Sequence, residues 1–166
     1  MDIDVLGSYN TVKATLPYLV KNSSRPRSTM PGGASRPVGK IIFVSATMHY
    51  NGTPLQAHVC AAKAAVDSLA HTVCIEYGPL AITSNVISPG PVADTEATSR
   101  LFTDGQQSCV KQIPSGRLGS VIDIADATIY LFSKAGDYVN GEIRVGRSLV
   151  AAICLVSKLS KRRNFC

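Results

Sequence analysis

Apolar residues recur at Val5, Tyr9, Val12, Leu16 and Leu19, a spacing of three and four that predicts a helix over 1–20. Pro17, near its end, should kink or weaken the last turn, because proline has no amide to donate. Residues 22–39 (NSSRPRSTMPGGASRPVG) hold almost no apolar positions and read as a flexible basic insertion. The run 40–45 (KIIFVS) is short, apolar and β-favouring, as expected of a strand buried on both faces. A loop over 46–56 follows. Apolar positions at Val59, Ala62, Val66, Leu69, Val73 and Tyr77 then predict a second helix, stopped by Gly78-Pro79. The run 82–88 (ITSNVIS) reads as a second strand, closed by Pro89-Gly90-Pro91. After a polar, mixed stretch over 94–112, Ser120 is placed to cap a helix over 121–133 with apolar Val121, Ala125, Ile129 and Phe132. Asn140-Gly141 turns into a short strand over 142–145.

Helix and strand alternate three times, which implies an α/β domain with a parallel sheet and crossover connections. Three strands are fewer than the two mononucleotide-binding halves of a doubly wound sheet. No G-x-G-x-x-G follows a strand, and Gly32-Gly33 lies in the polar insertion. The expectation is a carboxyl-terminal part of such a sheet, without its first strands and glycine-rich turn.

Composition narrows the function. Apolar residues make up 45% and charged residues 17%, values of a globular chain. The net charge of +6 invites a nucleic-acid partner, but Arg25, Arg27 and Arg36 share the insertion and Lys158, Lys161, Arg162 and Arg163 share the tail. Neither cluster is interleaved with aromatics or sits in a nucleic-acid module, so no nucleic-acid partner is expected. The cysteines Cys60, Cys74, Cys109, Cys154 and Cys166 form no C-x-x-C pair, so no metal is expected either. Their odd number, with no signal-peptide pattern, favours a reducing compartment. The apolar run 149–156 is far shorter than the ~20 residues that span a bilayer, and no membrane partner is expected.

In open α/β sheets ligands lie beyond the carboxyl ends of the strands. That rule selects the loop after Ser45, the turn after Ser88 and the start of the helix bearing Lys63. On composition alone Lys63 reads as a solvated surface lysine. Asp4 reads as a helix-start carboxylate favoured by the macrodipole, and the Pro89-Gly90-Pro91-Val92 turn as an ordinary loop.

Taken together, the strand ending in Ser45-Ala46, A-A-K-A-A-V around Lys63, S-N-V-I-S-P-G-P-V and Thr95 resemble the second half of a short-chain dehydrogenase/reductase. Within that family, Ser45-Ala-Thr-Met-His-Tyr-Asn-Gly52, His58-Val-Cys-Ala-Ala-Lys63 and Pro89-Gly-Pro-Val-Ala-Asp-Thr95-Glu96 resemble the peroxisomal 2,4-dienoyl-CoA reductases, fungal ones especially. The resemblance covers residues 2–145 and implies a partial Rossmann-like domain over 1–146, interrupted by 22–39 and followed by a divergent tail over 147–166. Two absences belong to it. Val59 stands where most of the family has a tyrosine, and Ala46 where most have a serine. The dienoyl-CoA reductases resemble this chain in lacking both.

The resemblance implies hydride transfer from NADPH to a conjugated carbon of a 2,4-dienoyl-CoA, leaving a dienolate rather than an alkoxide. Such a species needs hydrogen bonding at the thioester oxygen and a proton delivered to carbon. It implies Asp4 and Lys63 as the catalytic pair, with Lys63 also bonding the cofactor ribose. Pro89, Gly90, Pro91, Val92, Ala93, Asp94 and Thr95 would hold the nicotinamide end, and Arg100 the acyl-CoA. A homo-oligomer is implied, built on the helices over 1–20 and 57–77. Without a glycine-rich pyrophosphate turn, little or no turnover is expected of the 166 residues alone. That leaves a catalytically inactive oligomer partner, or another short-chain reductase, as alternatives. The likeness implies the peroxisome. Ser157-Lys158-Leu159 spells the peroxisomal address but is followed by further residues, so the cytoplasm is the alternative location.

Overall fold

The computed structural model describes residues 1–23, 36–96, 98, 110–111 and 113–145. A π-helical segment, Asp2–Gly7, runs into α1 (Ser8–Ser23). There follow β1 (Gly39–Val44), the short α2 (Met48–Asn51), α3 (Ala57–Tyr77) and β2 (Ile82–Ser88). The last described elements are α4 (Val121–Phe132) and β3 (Ile143–Val145). The strands form one sheet in the order β1-β2-β3, both pairings parallel. Gly39 to Val44 pair with Ile82 to Ile87, and Val86 to Ser88 with Ile143 to Val145. Parallel neighbours require a crossover, here α3 between β1 and β2 and α4 between β2 and β3.

The core lies between the sheet and one helical layer. Val12 and Leu16 of α1, Val66, Ala70 and Val73 of α3, Phe43 and Val86 form one buried cluster, flanked by Ile41, Leu69, Tyr77 and Ile143. Ala62 and Ala70 let α3 approach the strands closely, and burying each Val, Leu or Phe is worth about 1.5–3 kcal/mol. β2 is buried at every position, although four of its seven residues are polar. Ser84 Oγ donates to the Ala70 carbonyl at 2.8 Å, and its amide donates to Asn140 Oδ1 at 2.8 Å. Asn85 Nδ2 donates to the Val139 carbonyl, and its Oδ1 accepts the Glu142 amide. Ser84 and Asn85 are tolerated there because α3 and the turn before β3 supply their partners. Gly141, at φ 74 with Cys74 Sγ 3.0 Å from where a Cβ would stand, makes that turn possible.

One expectation is corrected. β1 is not buried on both faces: it is the edge strand of the described sheet, with Gly39 and Phe43 buried and Val44 exposed. α1 runs through Pro17 to Ser23. The α4 residues Val121, Ala125, Ile129 and Phe132 face outward, while Leu131 is buried. The cap was legible: Ser120 Oγ accepts the Asp123 amide at 3.2 Å, and the Ser120 amide donates to Asp123 Oδ2 at 2.7 Å. Arg117, bonding Asp123 with two nitrogens, and the Ser120 amide and hydroxyl hold that carboxyl well below the usual carboxylate range.

Candidate active site

The loops at the carboxyl ends of β1 and β2 remain paired beyond the strands. The Ser45 amide donates to the Ile87 carbonyl at 2.8 Å, and the Thr47 amide to the Pro89 carbonyl at 3.0 Å. This sets the loop after β1 beside the turn after β2, at the edge where α/β sheets hold ligands. α3 starts at Ala57 and brings Lys63 to the same edge. Ser45 Oγ donates to the Lys63 carbonyl at 3.3 Å, securing this part of the helix against the end of β1.

Lys63 Nζ donates to Asp4 Oδ1 at 2.9 Å and to the Val44 carbonyl at 3.3 Å. The lysine side chain is 18% exposed and the aspartate 40%. Its stem therefore lies against the protein while the ion pair opens to solvent. Fifty-nine residues separate the two side chains in sequence. They meet because the π-helical segment packs against α3. One helical turn before Lys63, Val59 offers no hydroxyl, and neither does Ala46 in the facing loop.

The turn after β2 borders an open cleft of about 280 Å³, lined by Pro89, Gly90, Pro91 and Val92 with Arg117 and Gly119 opposite. The Gly119 amide donates to the Pro91 carbonyl at 3.0 Å, and the Ala93 amide donates to the Gly119 carbonyl. Asp94 takes a left-handed φ of 58, rare for a residue with a Cβ. Thr95 Oγ1 donates to the Val92 carbonyl at 3.0 Å, and Thr98 Oγ1 bonds the same carbonyl. The threonines thus stiffen the turn. Asp4 and Lys63 are brought into contact, and residues 89–95 lie at the end of the adjoining strand. Arg100 lies outside the described residues, as does Ser157-Lys158-Leu159.

Sequence reasoning missed His49, Tyr50 and Asp67. Asp67, one turn after Lys63, is 6% exposed. Its Oδ2 accepts the Tyr50 hydroxyl at 2.7 Å and lies 2.8 Å from His49 Nε2. Burial, then the bond to Asp67, pushes the Tyr50 phenol up to about 12, with Ser88 pulling the other way. The available signal was an acidic residue between Val66 and Ala70 on an otherwise apolar helix face, since a buried carboxylate needs partners.

The fold and the crevice at the strand ends define a class. A family model described as Enoyl-(Acyl carrier protein) reductase matches residues 1–145, and the chain belongs to this family of short-chain dehydrogenases/reductases. Among curated proteins, it is 45% identical over 146 residues to the peroxisomal 2,4-dienoyl-CoA reductase of Saccharomyces cerevisiae, covering 87% of this chain and 45% of that one. The Arabidopsis thaliana protein of that description is 38% identical over 143 residues, covering 85% and 46%. Among solved structures, a gluconate 5-dehydrogenase from Burkholderia cenocepacia, in complex with NADP and tartrate, superposes with a TM-score of 0.72 at 24% identity. That match covers 87% of this chain and 52% of that one and supports the Rossmann-like fold. The chain spans about half the length of the curated relatives it matches.

Proposed function

We propose that this chain carries the substrate-side half of an NADPH-dependent 2,4-dienoyl-CoA reductase, which yields a 3-enoyl-CoA in peroxisomal fatty-acid β-oxidation. Residues 1–146 are its partial reductase domain, with 22–39 an insertion and 147–166 a divergent tail. The observation that carries the reading is the 2.9 Å contact between Lys63 Nζ and Asp4 Oδ1 at the carboxyl end of β1, with no hydroxyl at Val59, one helical turn before Lys63, or at Ala46, two residues past β1. A carbonyl reductase needs a hydroxyl acid where this site has none. Reduction of a conjugated thioester needs a cation and a proton carrier, which this pair provides.

The residues present fit one end of the cofactor. Lys63 has a partly open ammonium suited to ribose hydroxyls, and the 89–95 turn offers backbone groups beside a cleft for the flat nicotinamide. NADPH, when bound, supplies a hydride to the conjugated chain. Lys63 stabilises the negative charge that then develops toward the thioester oxygen. Asp4, bonded to the same ammonium, holds it in place and relays to carbon a proton taken from solvent water, which its 40% exposure admits. Arg100 is assigned to the acyl-CoA, its guanidinium suited to phosphates.

The test is NADPH oxidation by the purified chain with a 2,4-dienoyl-CoA, with identification of the product. The expected result is a rate far below that of the yeast relative, since the 166 residues hold no glycine-rich pyrophosphate turn, and a 3-enoyl-CoA as sole product. A preference for 3-oxoacyl thioesters would favour another short-chain reductase and sink the reading.

A second reading, a catalytically inactive oligomer partner, draws on the outer face of α1 and α3. Tyr9, Lys13, Leu16, Pro17, Leu69 and Tyr77 line a groove of about 350 Å³ there, and Tyr18 and Ile75 stand exposed nearby. An uncovered apolar face of this kind suits a homo-oligomer. Sedimentation as a monomer at micromolar concentration would remove that reading.

A further inference from the structure

Among the described residues, a buried polar cluster beside the ligand edge is one that the proposed chemistry leaves unused. Three residues form it: His49 and Tyr50 of α2, and Asp67 of α3. The His49 and Asp67 side chains are 8% and 9% exposed. Asp67 Oδ2 meets both partners, at 2.8 and 2.7 Å. Asp67 Oδ1 and His49 Nδ1 are buried without a partner among the described residues. Such a cluster is costly in place of apolar packing, which would cover the same helix face without polar groups to satisfy.

Its position gives it a use. Lys63 and Asp67 are four residues apart on one face of α3, so the helix that aims the ammonium also carries the latch. Apart from this cluster, the described side-chain ties of α2 are weak: Cys60 Sγ bonds the Met48 carbonyl at 3.4 Å and Thr53 Oγ1 bonds it at 3.5 Å. Tyr50 is 45% exposed, and its ring stacks at a tilt against His49, with 3.9 Å between centroids. The tyrosine is thus fixed at its hydroxyl while nearly half of the residue stays open to solvent.

We infer that Asp67 is a positioning residue: through Tyr50 and His49 it latches the 46–56 loop to the Lys63 helix and so shapes the acyl-thioester side of the crevice. This rests on the reductase reading for the identity of the substrate. The latch itself does not depend on that reading. Tyr50 acts here as a held wall, since its hydroxyl is committed to Asp67 and its proton is held tightly.

The experiment combines amide hydrogen exchange on the full chain with steady-state kinetics, for Tyr50→Phe, His49→Ala and Asp67→Asn. Tyr50→Phe removes one hydroxyl and keeps the ring, so it remains informative if Asp67→Asn fails to fold. Loss of a hydrogen bond to a charged group should speed exchange over 47–56 by about tenfold or more, with β2 amides within about twofold. The double variant Tyr50→Phe with Asp67→Asn should exchange no faster than Asp67→Asn. Unchanged exchange over 47–56, or equal acceleration in β2, overturns the latch. For turnover of a 2,4-dienoyl-CoA, Tyr50→Phe should raise KM by about tenfold and leave kcat within about threefold, the signature of lost substrate positioning. A fall in kcat at unchanged KM overturns the positioning role. If turnover by the unsubstituted chain is too slow to measure, as expected of residues without a pyrophosphate turn, exchange decides the latch by itself, and a preference for 3-oxoacyl thioesters is what sinks the reductase reading.

Discussion

The two ends of the sheet each carry an aspartate bonded to a lysine, and the two pairs are built differently. At the amino end, Asp137 is 7% exposed and meets Lys40 at 2.7 Å and also Arg36. Lys40 further donates to the Leu131 and Ser133 carbonyls, at 3.1 and 2.7 Å, joining β1 to the end of α4. At the carboxyl end, Asp4 is 40% exposed and meets Lys63 at 2.9 Å. The first pair is closed, with several partners holding each charge. The second is open, with room on the ammonium for another acceptor. A charge fully committed inside the protein ties elements together, whereas one left partly open is available to a ligand.

The largest expected effect breaks the open pair. Lys63→Ala should lower kcat/KM for a 2,4-dienoyl-CoA by about a thousandfold, the scale for removing a donor to developing negative charge. The unfolding midpoint in urea should stay close to that of the unsubstituted chain. An unaffected rate would remove Lys63 from the chemistry. Next comes the closed pair: Asp137→Ala leaves Lys40 and Arg36 without their counter-charge and should cost about 3 kcal/mol in urea unfolding. A loss no greater than that of a surface substitution would make the two ends alike.

The closed pair should also show in the pH dependence of stability. Burial alone would raise the Asp137 carboxyl, but Lys40, then Arg36, outweigh it and hold it below its ordinary value of 3.8. A carboxyl depressed in the folded state contributes stability that is present above 3.8 and lost as pH falls through the lower folded value. The acid limb of the stability profile should therefore flatten in Asp137→Ala. Tyr50 has the opposite sense. Its pKa is raised from 10.0 to about 12, so stability is present below 10.0 and lost as pH rises through the folded value. Tyr50→Phe should lack that alkaline limb.

Local signals in the sequence were enough to place the strands and α3. β2 carries turn residues on both sides, and Gly78-Pro79 ends α3 where the pattern stops. Ser120 announced the start of α4, where Asp123 completes the capping box. What failed was anything that depends on neighbours. The burial of β1 was misjudged because the run IIFV looks alike in a central and in an edge strand. The apolar positions Val121, Ala125, Ile129 and Phe132 of α4 face outward, since periodicity gives a face without saying what covers it. In the site, resemblance paired Asp4 with Lys63 across 59 residues, a pairing that spacing alone could not suggest. Asp67 was passed over because its partners lie in a loop that had been given no structure, and α2 occupies part of that loop.

The smallest expected effect on stability sharpens the contrast most. In Asp4→Asn the amide oxygen still accepts from Lys63, and the aspartate it replaces is well exposed to solvent and screening ions. Exposed ion pairs are worth about 0.2–1 kcal/mol, so urea unfolding should shift by less than about 1 kcal/mol. Turnover should behave otherwise, because an amide cannot take up and release the proton that ends on carbon. If Asp4→Asn instead destabilised the chain as much as Asp137→Ala, the carboxyl-end pair would be a structural tie like its counterpart. The catalytic assignment of Asp4 would then lose its physical basis.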